Sequence, residues 1–248
     1  MSSTPAAEIG GRRFRPRLWP TIATALGLAI LLALGTWQVK RLAWKTDLIA
    51  KAEERLALPA IPLPSDPDTD WAALDFRRVD VSGTYLHDDA FAFGVSGVDG
   101  QPGSTLVTPL ALDDGRTLLI ERGWLPTAIL PPDVPDGLEP QGEVKLTGVL
   151  RYRGQPGHNP FEPTNDAQGR RWYGWNMEAM SEAVGDPLLP VSLVLEKSEG
   201  SAGLPHAGPV VVEYHNPHLG YAITWYGLAA ALVGVYLAFS LEKPKEPS

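Results

Sequence analysis

WPTIATALGLAILLALGTW, from Trp19 to Trp37, contains no charged residue. It is close to the roughly 20 residues that an α-helix needs to cross a bilayer. A second uncharged run, LGYAITWYGLAAALVGVYLAFSL, spans Leu219 to Leu241. Aromatic and charged residues suited to the membrane interface flank both, which favours membrane spans over buried core helices. The pair predicts a membrane hairpin carrying a soluble domain between its two legs.

The flanks orient the hairpin. Arg12, Arg13, Arg15 and Arg17 precede the first run against one acid, Glu8, and the positive-inside rule keeps such a segment cytoplasmic. A second crossing returns Lys243 and Lys245 to the same side. The expected organisation is a cytoplasmic tail at 1–18, a transmembrane helix at 19–37, an extramembrane domain at 38–218, a second transmembrane helix at 219–241 and a tail at 242–248. The domain would face the periplasm of a bacterium or a mitochondrial intermembrane space. Composition rich in Ala, Gly, Pro and Arg favours the bacterial inner (plasma) membrane. Thr36-Trp37-Gln38 is a poor small-residue cleavage site, so the first run is expected to remain as an anchor.

The chain of 248 residues carries a net charge of −8, and the acidic excess lies in the central segment. That is unlike a nucleic-acid binder. With no cysteine there is no disulfide, no thiolate nucleophile and no covalent haem attachment, so any metal must be held by His, Met or carboxylates.

Helix formers without Gly or Pro continue past the first run to Leu58, predicting a helical extension over 38–58. Trp37, Arg41, Trp44 and Lys45 fall at i, i+4, i+7 and i+8, placing two indoles and two cations on one face. They form an interfacial belt or a platform for an anionic ligand. Pro59, Pro62, Pro64 and Pro67 with Asp66, Asp68 and Asp70 predict a linker or surface loop.

Strands are expected at 76–85, 90–95, 105–112, 117–124, 143–152, 171–175, 191–196 and 209–213, with Asp113-Asp114-Gly115 as a hairpin turn and a helix over 176–184. The fold class is α+β, two transmembrane helices flanking a mainly antiparallel β domain, curled or partly closed into a barrel.

No hydrolase, metalloprotease or phosphate-loop signature occurs, which disfavours an enzyme. Gly123 reads as a turn residue, and Arg122 as a surface ion-pair partner or an anion ligand. His87, His158 and His206 fall in turns or Gly/Pro loops. His215 and His218 abut the second membrane run. Asn216 is a plausible N-cap and Pro217 a first helical residue, which puts His218 in the first turn. The positive end of the helix dipole disfavours an imidazolium there and keeps a ring nitrogen available to a metal. Tyr221 and Trp225 follow at i+3 and i+7. Ala23 and Gly27, with Gly227, Ala231 and Gly234, provide small-residue spacings for close helix packing. Such packing would bring the Trp37/Arg41/Trp44/Lys45 and His218/Tyr221/Trp225 faces to one pocket.

Three segments carry a resemblance: LGTWQVKRLAWK at 34–45, RGWLP at 122–126 and NPHLGYAITWY at 216–226. They resemble the signature segments of the surfeit locus protein 1 family. The resemblance implies a non-enzymatic assembly factor for haem-copper cytochrome oxidases that binds haem a at the outer membrane face and aids its insertion into the catalytic subunit. His218 matches the family's histidine in His-x-x-Tyr-Ala-x-Thr-Trp, the favoured iron ligand. Pro217 stands where members often have a second Asn. Arg41 or Lys45 would pair with the haem propionates. The oxidase catalytic subunit, haem a synthase and membrane lipid are the expected partners, and nucleic acid is not one. The alternative is a cofactor-free scaffold that stabilises an early oxidase subunit.

Overall fold

The computed structural model describes residues 8–9, 12–154, 163–199, 203–212 and 216–242. The chain forms two compact units, residues 1–50 with 213–248, and residues 51–212.

The first unit is a helix pair. Helix α1 spans Leu18–Ala57, about 60 Å at 1.5 Å per residue and roughly twice the thickness of a bilayer's hydrocarbon core. Helix α3 spans His218–Ser240. Both are long and apolar enough to cross a membrane. Strands β1 (Glu8–Ile9), β2 (Arg12–Phe14) and β11 (Leu241–Glu242) pair antiparallel into a small sheet.

The helices run antiparallel. Contacts step up α1 as they step down α3: Thr21 hydroxyl to Tyr236 hydroxyl at 2.7 Å, Gly27 beside Leu232, Thr36 hydroxyl to Tyr226 hydroxyl at 3.2 Å, and Gln38 against His218. A Cβ on Gly35 would lie 2.8 Å from the Tyr226 ring, so glycine is what lets that aromatic lie against α1. The small residues of α3 behave differently from expectation. Gly227, Ala231 and Gly234 are exposed, and a Cβ added at either glycine would meet nothing within 4 Å, whereas Ala222 and Ala229 are buried. The contact row of α3 is Ala222, Trp225, Ala229, Leu232 and Tyr236 at alternating helical steps of three and four. Gly27 lies on the α1 contact face, and Ala23, though exposed, borders a cavity that Leu232 and Tyr236 of α3 also line.

The second unit is a closed barrel. Strands β4 (Arg78–Tyr85), β8 (Glu143–Tyr152), β10 (Leu188–Leu195), β7 (Thr117–Pro126) and β6 (Gln101–Leu112) neighbour one another in that order, and β6 pairs back onto β4. Closure removes the free edges that an open sheet would expose. Most pairs are antiparallel, but β10 runs parallel to β7. Strand β3 (Ile61–Pro62), within the segment expected as a linker or surface loop, adds parallel to β4. Strands β5 (Phe91–Val98) and β9 (Arg171–Trp172) extend the sheet beyond β6.

Period-two alternation sends one row from each barrel strand inward: Val79 and Val81, Leu110 and Leu112, Leu118 and Ile120, Leu146 and Leu150, Val191 and Leu193. Each fully buried aliphatic side chain stabilises the fold by about 1.5–3 kcal/mol. Gly83 sits in this inner row at the seam, where a Cβ would run into the Ala111 carbonyl of the closing strand.

Helix α2 (Met177–Val184) is capped by the Asn176 side chain, which accepts from the Ala179 N–H, and ended by Gly185 at φ +80°. It buries Met180 against Phe91, Val107, Leu119 and Trp172. The last turns of α1 place Ala52 and Leu56 against Phe76 and Val149. Residues 209–212 form no strand: Val210 and Val212 pack on this cluster and Val211 is exposed, but the segment has no ladder partner among the described residues.

Candidate functional site

The site residues anticipated from sequence lie mostly in the helix pair. His218 opens α3. Pro217, not Asn216, occupies the cap position, with φ −80° and ψ 6°, and no side chain caps the helix. The Asn216 side-chain oxygen is instead buried without a hydrogen-bond partner among the described residues.

His218 is half-buried and its Nδ1 lies 2.7 Å from Oε1 of Gln38. A carboxamide oxygen only accepts, so the proton of this bond belongs to Nδ1. In the neutral ring the lone pair is then on Nε2, the nitrogen with which such an imidazole binds a metal. Gln38 is 8 % exposed and falls in the α1 contact row of Leu31, Leu34, Gly35, Leu42 and Lys45. It has a legible signal, an amide at the helical spacing of that row, but the sequence reading centres the site face on its neighbour Trp37.

Of the other anticipated residues, Trp225 is half-buried two turns along α3 on the same contact row as His218. Tyr221 is 54 % exposed and points away from it. On α1, Trp37 and Trp44 are exposed, Arg41 is exposed, and Lys45 is half-buried on the contact row. The Arg41 guanidinium lies 4.0 Å over the Trp44 ring, a cation–π pair. The structure thus groups His218 with Gln38, and Arg41 with Trp44. Trp37 and Tyr221 stand on outward faces.

No group of three or more His, Cys, Asp or Glu side chains that could cage a metal ion exists among the described residues. A single imidazole suits an iron whose other ligands come with it in a macrocycle, and the donor set therefore fits haem better than a bare ion. His158 and His215 lie outside the described residues. His206 pairs by its backbone with Trp124, and His87 places Nε2 2.9 Å from the Pro140 carbonyl.

A second polar cluster lies within the barrel unit. Register opposes Leu106 to Gly123 and Val107 to Glu121, so Arg122 is the extra residue of a β-bulge in β7. It continues the inward row of Leu118 and Ile120 and is 1 % exposed, which corrects the surface placement expected for it. Its Nε donates to Glu199 at 2.9 Å and its Nη2 to the Leu138 carbonyl at 2.6 Å. The guanidinium also stacks 4.7 Å over Tyr85, whose hydroxyl donates to the same Glu199 oxygen at 2.8 Å. Burial first, and the Glu199 charge next, push the Tyr85 phenol well above the usual tyrosine range. Gly123 is no turn residue. It sits inside β7 at φ +126°, where a Cβ would come within 2.7 Å of the His206 backbone.

A model of the SURF1 family matches residues 25–230. The chain is 32 % identical over 233 residues to Surfeit locus protein 1 of Takifugu rubripes, covering 88 % of this chain and 95 % of that one. It is 33 % identical over 214 residues to Surfeit locus protein 1 of Homo sapiens, covering 80 % and 70 %. A SURF1-like protein of Monosiga brevicollis is 29 % identical over 249 residues, covering 96 % and 92 %. Resemblance in three short segments, antiparallel docking of the two helices that carry the first and third, and similarity along nearly the whole chain agree: this chain belongs to the SURF1 family.

Proposed function

We propose that this protein holds haem a through His218 and hands it to the catalytic subunit of a haem-copper oxidase. Membership of the SURF1 family supports a role in cytochrome oxidase assembly. What favours haem as the cargo is the placement of His218 at the start of α3, its Nδ1 engaged by Gln38 so that Nε2 bears the lone pair. The ring would supply one ligand to the iron.

Arg41 and Lys45 supply positive charge one and two turns along α1 from Gln38, where carboxylates of the bound group would be met. The Arg41–Trp44 stack holds one of these charges against an aromatic surface. In this reading the helices cross a bacterial inner membrane with both termini cytoplasmic and the barrel in the periplasm. The catalytic subunit and haem a synthase are the partners.

The test is expression in a haem-a-producing host, with the absorption spectrum of purified wild type compared with His218→Ala. Wild type should carry haem a and the variant should retain a tenth or less, as expected for loss of a principal ligand. Equal retention removes His218 as the ligand. A second reading, a cofactor-free scaffold, draws on the outward apolar faces of the helices, where Leu26, Ile30, Ile223 and Phe239 are exposed and available to another membrane subunit. It predicts that an oxidase subunit co-purifies undiminished from a host that makes no haem a.

A further inference from the structure

A buried amide in a membrane-type helix is a feature that hydrocarbon surroundings disfavour. Gln38 is such an amide: 8 % exposed, on the α1 row that meets α3, with its Oε1 on Nδ1 of His218 at 2.7 Å. Other polar links between these helices join hydroxyls, Thr21 to Tyr236 and Thr36 to Tyr226, where either oxygen can donate. The Gln38 link differs because its acceptor end faces an imidazole and so has a direction.

We propose that Gln38 is the positioning residue for His218. By accepting from Nδ1–H it selects one tautomer, fixes the rotation of the ring and raises the basicity of Nε2. This rests on the reading of His218 as a haem ligand. Histidine ligands to metals are generally held in this way by a partner on the other ring nitrogen, most often a carboxylate, a backbone carbonyl or water. A neutral carboxamide orients the ring while adding less negative character than a carboxylate would. A carrier gains from that choice, because a ligand made more basic binds ferric iron more strongly and releases it less readily.

The full-length protein, loaded in a haem-a-producing host, provides the test in four forms: wild type, His218→Ala, Gln38→Leu and Gln38→Glu. Haem retained per chain, the visible spectrum and the reduction potential are measured in each. Gln38→Leu should keep the size of the side chain but weaken haem affinity 10- to 100-fold, the loss typical when such a partner is removed. Gln38→Glu should retain haem and shift the potential to more negative values, because a charged acceptor favours the ferric state. A residue that only glues two helices would move neither the potential nor the spectrum.

If His218→Ala retains haem as wild type does, the ligand reading of the preceding subsection fails. If His218→Ala loses haem while both Gln38 variants match wild type in retention and potential, the ligand reading stands and the positioning role is overturned. Should the variants fail to accumulate, resonance Raman on the reduced wild type decides alone. An iron–histidine stretch at the higher frequency of a hydrogen-bonded imidazole supports the role, and one at the lower frequency of an unbonded ring rejects it.

Discussion

In the barrel, Arg122 is 1 % exposed and its charge is met by Glu199, by the Leu138 carbonyl and by the Tyr85 ring. In the helix pair, Gln38 is nearly as deeply buried, yet it carries no charge and its partner is one nitrogen of an imidazole. The barrel pulls a full charge out of water and meets it with a carboxylate, a carbonyl and an aromatic ring, while Nη1 has no hydrogen-bond partner among the described residues. The helix pair hides a neutral amide against an imidazole, the ring that the proposal above assigns to haem iron. Burial of a polar side chain by itself therefore does not mark a functional site. What the partner's other atoms can still do is the distinguishing feature.

This contrast can be broken most directly at Arg122. Arg122→Leu leaves Glu199 with the Tyr85 hydroxyl in a site built for a cation, and the barrel should lose about 3–5 kcal/mol, read by denaturant unfolding of the detergent-solubilised chain. Haem retained per folded molecule should not change. A loss under about 1 kcal/mol, or a haem defect in folded protein, removes the distinction between the two regions.

A smaller effect is expected next door. Gly123→Ala places a Cβ against the His206 backbone at a φ of +126°, at a cost of about 1–3 kcal/mol. Unchanged unfolding would mean that the bulge relaxes freely and does not fix the direction of Arg122.

The mildest test is alkaline. The folded-state pKa of Tyr85 is raised above its unfolded value, near 10, so the folded protein holds this proton more tightly. Its stabilisation is fully present below pH 10 and is lost as pH rises beyond it. Wild type should lose stability faster than Tyr85→Phe above pH 10, by up to about 1.4 kcal/mol per pH unit. Parallel curves for the two proteins would show that the phenol proton is not held by the Glu199 site.

The legible parts of the fold were those whose signal is local. Glu143–Tyr152 reads as a strand and is one, because alternation over ten residues has no helical counterpart. Curling toward a barrel was legible, but the seam that closes it was not, since the pairing of Gly83 with Leu112 depends on strands far apart in sequence meeting in register. Parallel pairing of β10 with β7 was hidden for the same reason. Strand β3 escaped notice because two residues, one of them proline, carry no period. In the candidate site, His218 was legible from its place at the edge of an apolar run. Gln38 carries a signal as well, an amide at helical spacing, but spacing defines faces and does not say which of them meets a neighbour.

The sequence by itself determined that two uncharged helical runs bracket a β domain, for length and absence of charge suffice to specify them. It also determined the residue types available for chemistry, histidine and no cysteine. Tertiary structure alone decided which row of each helix faces the other, that Ala222 and Ala229 pack where Gly227 and Gly234 do not, and that a bulge turns Arg122 inward. The physical reason is that a period fixes a side chain's direction relative to its own backbone. Only the complementary surface across from it, present once the chain has folded, determines whether that direction leads to solvent, lipid or a partner.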